Sequence, residues 1–294
     1  MLYASGEDIA ETVSAAQDAD AVIVFAQEWR SEALDAQGLA LSAEQNRLIE
    51  TLAAANRQIV VVLETGGAVA MPWLDKVPAV VEAWYAGSGG GEAIAGVLLG
   101  RVNPSGRLPI TFPASEAQLP RPEQTDPAGT TSLPGAPVKG GIIHIDYDME
   151  GSGVGYRWFA RTRQTPLFPF GYGLSYTSFN YKALRLAEEG DVLYAILTLA
   201  NSGDRAGAEV AQIYIRPASQ HYAPRLAAFA RVDLQPGESQ EIRLRLEPKV
   251  IACWETENAQ WTIHGKDYQI LAGKNAMEFV LETVAHLQTR RFGY

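Results

Sequence analysis

Acidic and aromatic residues follow directly on a short apolar run near the start of the chain. The run is residues 22–25, and the side chains after it are Glu28, Trp29, Arg30, Glu32 and Asp35. Because α/β folds place chemistry at strand ends, we expect these side chains at one edge of a sheet. An acid that protonates a departing alcohol must be partly desolvated, and a neighbouring Trp29 can desolvate it while stacking on a sugar ring. Glu32 is therefore the candidate general acid/base, and Trp29 and Arg30 are candidate substrate-binding residues.

A second candidate centre is Ser88, within the sequence Ala-Gly-Ser-Gly-Gly of residues 86–90. This stretch, between a predicted strand and a predicted helix, is similar to the nucleophile elbow of α/β-hydrolases. Asp126 or Asp146 and a later histidine follow in a suitable order. The glycines serve equally well for close packing of a helix on a sheet, so a serine hydrolase is the less favoured alternative. The same run fits neither a P-loop nor a dinucleotide-binding motif.

Composition excludes several classes of function. The net charge of -10 argues against a protein that binds nucleic acid through its phosphates. No apolar stretch approaches the roughly 20 residues that cross a bilayer, and the first residues lack a signal-peptide pattern. The four histidines lie far apart, so we expect neither a metal nor a cofactor. The single cysteine, Cys253, is predicted to be a buried, inert thiol.

Residues 1–115 alternate helical and strand patterns, which is typical of an α/β layer with parallel strands. Helices are predicted from about residue 9, from a capping box formed by Ser42 and Gln45, and over residues 92–99. The predicted strands are residues 22–25, 59–63 and 79–85. A long proline-rich loop is expected over residues 114–142, because prolines cannot lie inside regular elements.

Residues 175–294 show short alternating strands between turn signals, for example residues 193–199, 209–215 and 241–246. This spacing predicts a β-sandwich of immunoglobulin or fibronectin type. Trp254, Trp261 and Tyr268 alternate with polar residues, so we expect the sandwich to bury them rather than display them for binding. The predicted domains are residues 1–115, a junction over 116–174, and residues 175–294.

Several blocks of this sequence resemble the C-terminal part of family-three glycoside hydrolases, the bacterial β-glucosidases. Residues 32–49 are similar to the family's glutamate loop, EGxDxxxLxLPxxQxxLI. Further matching blocks are residues 60–67 with 71–74, 82–85 with 90–94, 100–109, 155–159 and 166–177. The resemblance implies an α/β sandwich followed by a fibronectin III-like domain, and it extends over essentially the whole chain.

The resemblance also implies roles for individual residues. Glu32 matches the family's acid/base, although Ala33 stands where glycine is usual and Ser42 where proline is usual. Because alanine restricts the backbone more than glycine does, Glu28 remains a rival to Glu32.

In the family, the nucleophilic aspartate lies on a (β/α)8 barrel that precedes this region. We therefore expect the chain alone to be inactive or nearly so, and to need a barrel domain in cis or in trans. Its substrate would be a β-glucoside or oligosaccharide, cleaved with retention at terminal non-reducing β-D-glucosyl residues. The alternative from another class is a non-catalytic carbohydrate-binding or interaction module.

Overall fold

The structure is a computed structural model that describes residues 2–30, 38–121, 146, 148–218 and 222–293. Two compact units divide the chain. The first comprises Met1–Ala95 and Phe112–Met149, and the second comprises Gly96–Thr111 and Glu150–Tyr294. Within the described ranges, no helix is both long and apolar enough to span a bilayer.

A parallel three-stranded sheet forms the centre of the first unit, with strand order β1-β2-β3. The strands are β1 (Val22–Gln27), β2 (Ile59–Glu64) and β3 (Ala79–Glu82), and the helices before β1 and β2 are α1 (Ile9–Gln17) and α2 (Ala43–Ala55). β2 lies between the other two strands, and Val61, Val62 and Leu63 are fully buried in it. Such burial explains why the strand reads as a continuous apolar run, as central parallel strands do. The predicted parallel α/β layer is confirmed.

Helix α2 begins where the sequence predicts, but its capping box is only half formed. The Ser42 hydroxyl accepts a hydrogen bond from the Gln45 backbone N–H at 3.2 Å. The Gln45 amide turns instead to the end of β1, where it accepts from the Gln27 N–H at 2.8 Å and donates to the Gln27 carbonyl at 2.9 Å. A side chain of α2 thus pairs with the strand as another peptide group would.

Strand β3 ends at Glu82, so the prediction that it continues to Tyr85 is wrong. The reason is Trp84, whose φ of 53° lies in the left-handed region that residues with a Cβ rarely adopt. Trp84 packs edge-on against Phe112, with ring centroids 6.1 Å apart. Helix α3 (Gly90–Leu98) follows, close to the predicted range.

The second unit is a β-sandwich whose larger sheets have the orders β12-β11-β6-β7 and β4-β5-β8, accompanied by a small sheet β13-β10-β9. Its strands are β4 (Phe179–Glu189), β5 (Val192–Asn201), β6 (Gly207–Pro217), β7 (Arg225–Leu234), β8 (Ser239–Arg245), β9 (Cys253–Glu255), β10 (Gln260–Ile263), β11 (Lys266–Gly273), β12 (Phe279–Leu287) and β13 (Arg290–Phe292), and its helices are α4 (Tyr156–Thr162) and α5 (Pro248–Ile251). Leu197, Ile213 and Ile270 are fully buried in the shared core. The predicted β-sandwich is therefore confirmed.

The small sheet contradicts two side-chain predictions. Cys253 is exposed, because it opens the short edge strand β9. Trp254, the next residue, is 38% exposed and contacts the partly buried Trp261 at 5.4 Å between ring centroids. Tyr268, in the central strand β11, is buried as expected.

A buried ion pair joins residues 96–111 to the sandwich within the second unit. Arg107 Nη2 lies 2.9 Å from Glu209 Oε1 on β6, and both side chains are less than a tenth exposed. Nearby, Asn103 accepts from the Ser175 hydroxyl at 3.0 Å and donates to the Ala206 carbonyl at 3.0 Å. The polar residues of the 100–109 block therefore make structural contacts.

Candidate active site

The three parallel strands of the first unit end at one edge of the sheet. Beyond β1, the Glu28 N–H donates to the Glu64 carbonyl at 3.2 Å, and beyond β3 the Ala83 N–H donates to the Leu63 carbonyl at 2.8 Å. The residues just past each strand are therefore brought together, as the sequence predicts for a functional edge.

Arg30 lies across the turn that follows β2. Its Nε is 2.6 Å from Glu28 Oε2, and 29% of the Arg30 side chain is exposed against 14% of the Glu28 side chain. A Cβ built on Gly67 would lie 3.5 Å from Arg30 Cζ, and one on Gly66 would lie 3.2 Å from Arg30 Cδ. The glycine pair thus lets the arginine lie close against the turn.

Tyr85 connects the loop after β3 to the end of β1. Its hydroxyl donates to the Glu28 carbonyl at 2.6 Å, and its ring would be 3.0 Å from a Cβ on Gly66. Trp29, which follows Glu28, is 78% exposed. An exposed indole beside an oriented guanidinium is suited to contacting a polar ring such as a sugar.

Glu82 at the end of β3 is a functional candidate that sequence reasoning missed. Its Oε1 accepts from the Trp84 N–H at 2.9 Å, and its two carboxyl oxygens lie 3.3 and 3.2 Å from the Thr65 hydroxyl. Burial raises the pKa of this carboxyl group to about 7, and the charge of Glu28 acts in the same direction. The available signal was a glutamate that ends an otherwise apolar strand, two residues before the aromatic pair of Trp84 and Tyr85.

The candidate acid/base, Glu32, falls within residues 31–37, outside the described residues. Both flanks of this segment are described. Arg30 precedes it at the site edge, and on the far side the Leu39 N–H donates to Glu116 Oε1 at 2.8 Å while the Leu39 carbonyl accepts from the Ala70 N–H at 2.7 Å. The structure therefore brings together Glu28, Trp29 and Arg30, and leaves the role of Glu32 a prediction.

Ser88 lies in a short 3₁₀ turn, Gly87–Gly89, before α3. A nucleophile elbow strains the serine itself, whereas the left-handed residues here are Trp84 and Gly87. In the described part of the chain, no hydrogen bond joins Ser88 to a histidine, and His144 and His221 lie outside that part. Asp126 also lies outside it. Nothing in the described geometry favours the serine-hydrolase alternative.

Within the described ranges, no group of three or more His, Cys, Asp or Glu side chains lies close enough together to hold a metal ion. The Glu28 and Glu82 carboxyl groups at the sheet edge instead accept hydrogen bonds from Arg30 and from the Trp84 N–H.

Two family models match the chain. Residues 3–176 match the glycosyl hydrolase family 3 C-terminal domain, and residues 209–276 match a fibronectin type III-like domain. These matches agree with the two kinds of architecture seen in the structure.

Relatives with high similarity are β-glucosidases. A beta-glucosidase of Rhizobium radiobacter is 38% identical over 95% of this chain and 34% of its own length. Thermostable beta-glucosidase B of Acetivibrio thermocellus is 34% identical over 94% of this chain and 36% of its own. The chain thus spans about a third of the length of the curated relatives it matches.

Solved structures give the same result. DesR, a beta-glucosidase from Streptomyces venezuelae crystallised in complex with D-glucose, superposes with a TM-score of 0.83 at 34% sequence identity. That match covers 95% of this chain and 35% of the DesR chain.

Proposed function

We propose, since this chain belongs to glycosyl hydrolase family 3, that it supplies the acid/base of a retaining β-glucosidase acting on terminal non-reducing β-D-glucosyl residues. The observation that carries the proposal is the sheet edge at which Glu28, Trp29 and Arg30 lie, two to four residues before Glu32 in sequence. The family resemblance assigns the acid/base to Glu32, and the relatives named as beta-glucosidases support the substrate class.

The proposed mechanism needs two carboxyl groups about 5 Å apart. An aspartate carboxylate from a (β/α)8 barrel, in cis or in trans, attacks the anomeric carbon while Glu32 gives its proton to the departing glycosidic oxygen. The Glu32 carboxylate then takes a proton from water, and the resulting hydroxide attacks the same carbon and releases the aspartate. The sugar leaves with its original configuration.

The described residues contribute binding and orientation. Arg30 carries guanidinium donors suited to sugar hydroxyls, and Glu28 fixes that guanidinium through the 2.6 Å contact. Trp29 offers an exposed ring for stacking. Glu28 is the weaker acid/base candidate because its carboxylate already bonds to Arg30, whereas a general acid must present a proton to the substrate.

The test is release of nitrophenol from an aryl β-glucoside by the chain alone and by the chain combined with a family barrel domain. We expect turnover only with the barrel, because the nucleophile lies there. In the active combination, Glu32→Ala should reduce glucoside turnover by about 10²–10⁴-fold. Azide should restore part of the turnover and yield a glucosyl azide, since it attacks the glycosyl-enzyme without a general base.

Glu28→Gln is the matched control, since it alters the neighbouring carboxylate and should lack azide rescue. Robust turnover by the chain alone would overturn the claim that the nucleophile lies elsewhere. An unchanged rate in Glu32→Ala would remove Glu32 as the acid/base. Binding of β-glucans without hydrolysis in every combination would support the alternative, a carbohydrate-binding module.

A further inference from the structure

We propose that Glu82 is a positioning residue whose carboxyl group, by bridging the ends of β2 and β3, holds residues 28–30 at the sheet edge, shortly before Glu32 in sequence. The contacts run from Glu82 through Trp84 and Tyr85 to the Glu28 carbonyl. The catalytic consequence rests on the proposed function, whereas the structural claim stands without it.

The single hydroxyl hydrogen of Thr65 bears on the protonation state in which Glu82 makes the bridge. A threonine hydroxyl has one hydrogen, and Thr65 Oγ1 lies 2.9 Å from the Gly67 carbonyl, which can only accept. If that hydrogen goes to Gly67, the contact between Thr65 and Glu82 needs a hydrogen from the carboxyl group. In that arrangement, a protonated Glu82 donates to the Thr65 hydroxyl, which donates to the Gly67 carbonyl.

The same carboxyl group also holds a strained residue. Glu82 Oε1 accepts from the N–H of Trp84, whose φ of 53° is unfavourable for a side chain with a Cβ. This left-handed turn ends the strand and leads directly into Tyr85. Without the acceptor, the turn loses a bond that offsets its strain, and the Tyr85 hydroxyl is less firmly held on Glu28.

The electrostatic surroundings agree with a bridge that is protonated below about pH 7. Burial, followed by the Glu28 charge, raises the pKa of Glu82 to about 7, whereas the backbone N–H groups of Trp84 and Thr65 act in the opposite direction. Among the described residues, other charged groups at these strand ends are Arg30, paired to Glu28, and Glu64, the last residue of β2. Tyr85 is a further titratable group there.

Amide hydrogen exchange in the full 294-residue chain tests the structural claim. Glu82→Ala should speed exchange at the Trp84 amide and also at the Glu28 amide. Faster exchange at Trp84 alone would be a local effect, so the Glu28 amide decides. Glu82→Gln should keep both amides protected, because its carbonyl accepts from Trp84 and its NH₂ donates to Thr65.

Two further variants locate the coupling. Tyr85→Phe should expose the Glu28 amide and leave the Trp84 amide protected, and Glu64→Gln is the matched carboxylate control that should change neither. A Glu28 amide that exchanges as in the wild type after Glu82→Ala would overturn the proposal. Equal disruption by Glu82→Gln and Glu82→Ala would overturn the protonated bridge.

The enzymatic arm uses the chain combined with its barrel. Glu82→Ala should lower kcat by about ten- to a hundredfold, with a smaller change in KM, because it misplaces Glu32 rather than removing it. Glu82→Gln should retain most of kcat. If kcat is unchanged while the Glu28 amide is exposed, the positioning role in catalysis is wrong. If no variant hydrolyses glucosides, the proposed function fails and the exchange data alone decide the bridge.

Discussion

Single carboxyl groups behave very differently at the sheet edge of the first unit. Glu28 follows β1 and is held by an arginine at 2.6 Å. Glu82 ends β3, on the other side of β2, and faces a hydroxyl and a backbone N–H. Burial without a neighbouring positive charge favours the protonated form of Glu82. Two glutamates at one edge are therefore suited to different tasks.

Glu82 gives the stability of the first unit a defined pH dependence. Its pKa is raised from 4.5 to about 7, so the folded state holds this proton more tightly than the unfolded chain does. The resulting stabilisation is fully present below pH 4.5 and is lost as the pH rises through about 7. One proton limits the slope to about 1.4 kcal/mol per pH unit, and solvent access reduces it further.

Urea unfolding of the wild type and Glu82→Gln across this pH range measures the effect. The variant should lose less stability than the wild type between pH 4.5 and about 7, since glutamine does not titrate. Parallel curves for the two proteins would show that Glu82 is not the group responsible.

Helix α2 and strand β1 are joined through one amide side chain. The backbone N–H and carbonyl of Gln27 both bond to the Gln45 side chain. Among the described strands, β1 has a neighbour, β2, on one side only. The Gln45 side chain thus satisfies backbone groups at a sheet edge and holds the strand end from which the site residues continue.

Gln45→Ala should destabilise the first unit by about 1–3 kcal/mol, because two hydrogen bonds are lost and their backbone partners stay in place. Glu50→Ala is the control on the same helix, since it removes an exposed pair with Lys76 and should cost about 0–1 kcal/mol. Denaturant unfolding compares the two. Equal losses would mean that the Gln45 contacts add nothing beyond a surface interaction.

Elements with a clear hydrophobic period were predictable from the sequence, including β2, α2 and the strands of the sandwich. Long-range partners were not. The Ser42 and Gln45 spacing indicates a capping box, yet Gln45 bonds to a strand distant in sequence. The end of β3 depends on the left-handed backbone of Trp84, which the pattern of residues 79–85 does not show. Cys253 reads as buried because its neighbours are apolar, but its strand is an edge.

The candidate site was predictable to a similar degree. The position of Glu28, Trp29 and Arg30 after an apolar strand predicted that they lie at the sheet edge, since the ends of parallel strands meet at one edge. Glu82 was missed because its function depends on burial and on a hydroxyl from another strand. The domain boundaries at residues 115 and 175 stay a prediction, and residues 96–111 belong to the second compact unit.

At the scale of the whole molecule, Arg107 tests that assignment. Its buried pair with Glu209 joins residues 96–111 to the sandwich, and removing one partner leaves a buried charge. Arg107→Ala should therefore destabilise the second unit by about 3–5 kcal/mol. The control is Arg185→Ala, whose pair with Glu241 is exposed and should cost about 0–1 kcal/mol.

Exchange measured by unit distinguishes the outcomes for Arg107. Loss of protection in the sandwich strands with little change in β1 and β2 is the expected result. Equal small losses in the Arg107 and Arg185 variants would show that the pair does not hold residues 96–111 to the sandwich.

The contacts on both flanks of residues 31–37 have a consequence for engineering the segment between them. Tyr85 and Arg30 make contacts before the segment, and Glu116 and Ala70 make contacts after it, so both described flanks are held by residues outside 31–37. Because these contacts do not involve residues 31–37, exchanging that segment between relatives should leave the fold of the first unit in place. The segment is therefore a natural cassette for engineering new sugar preferences.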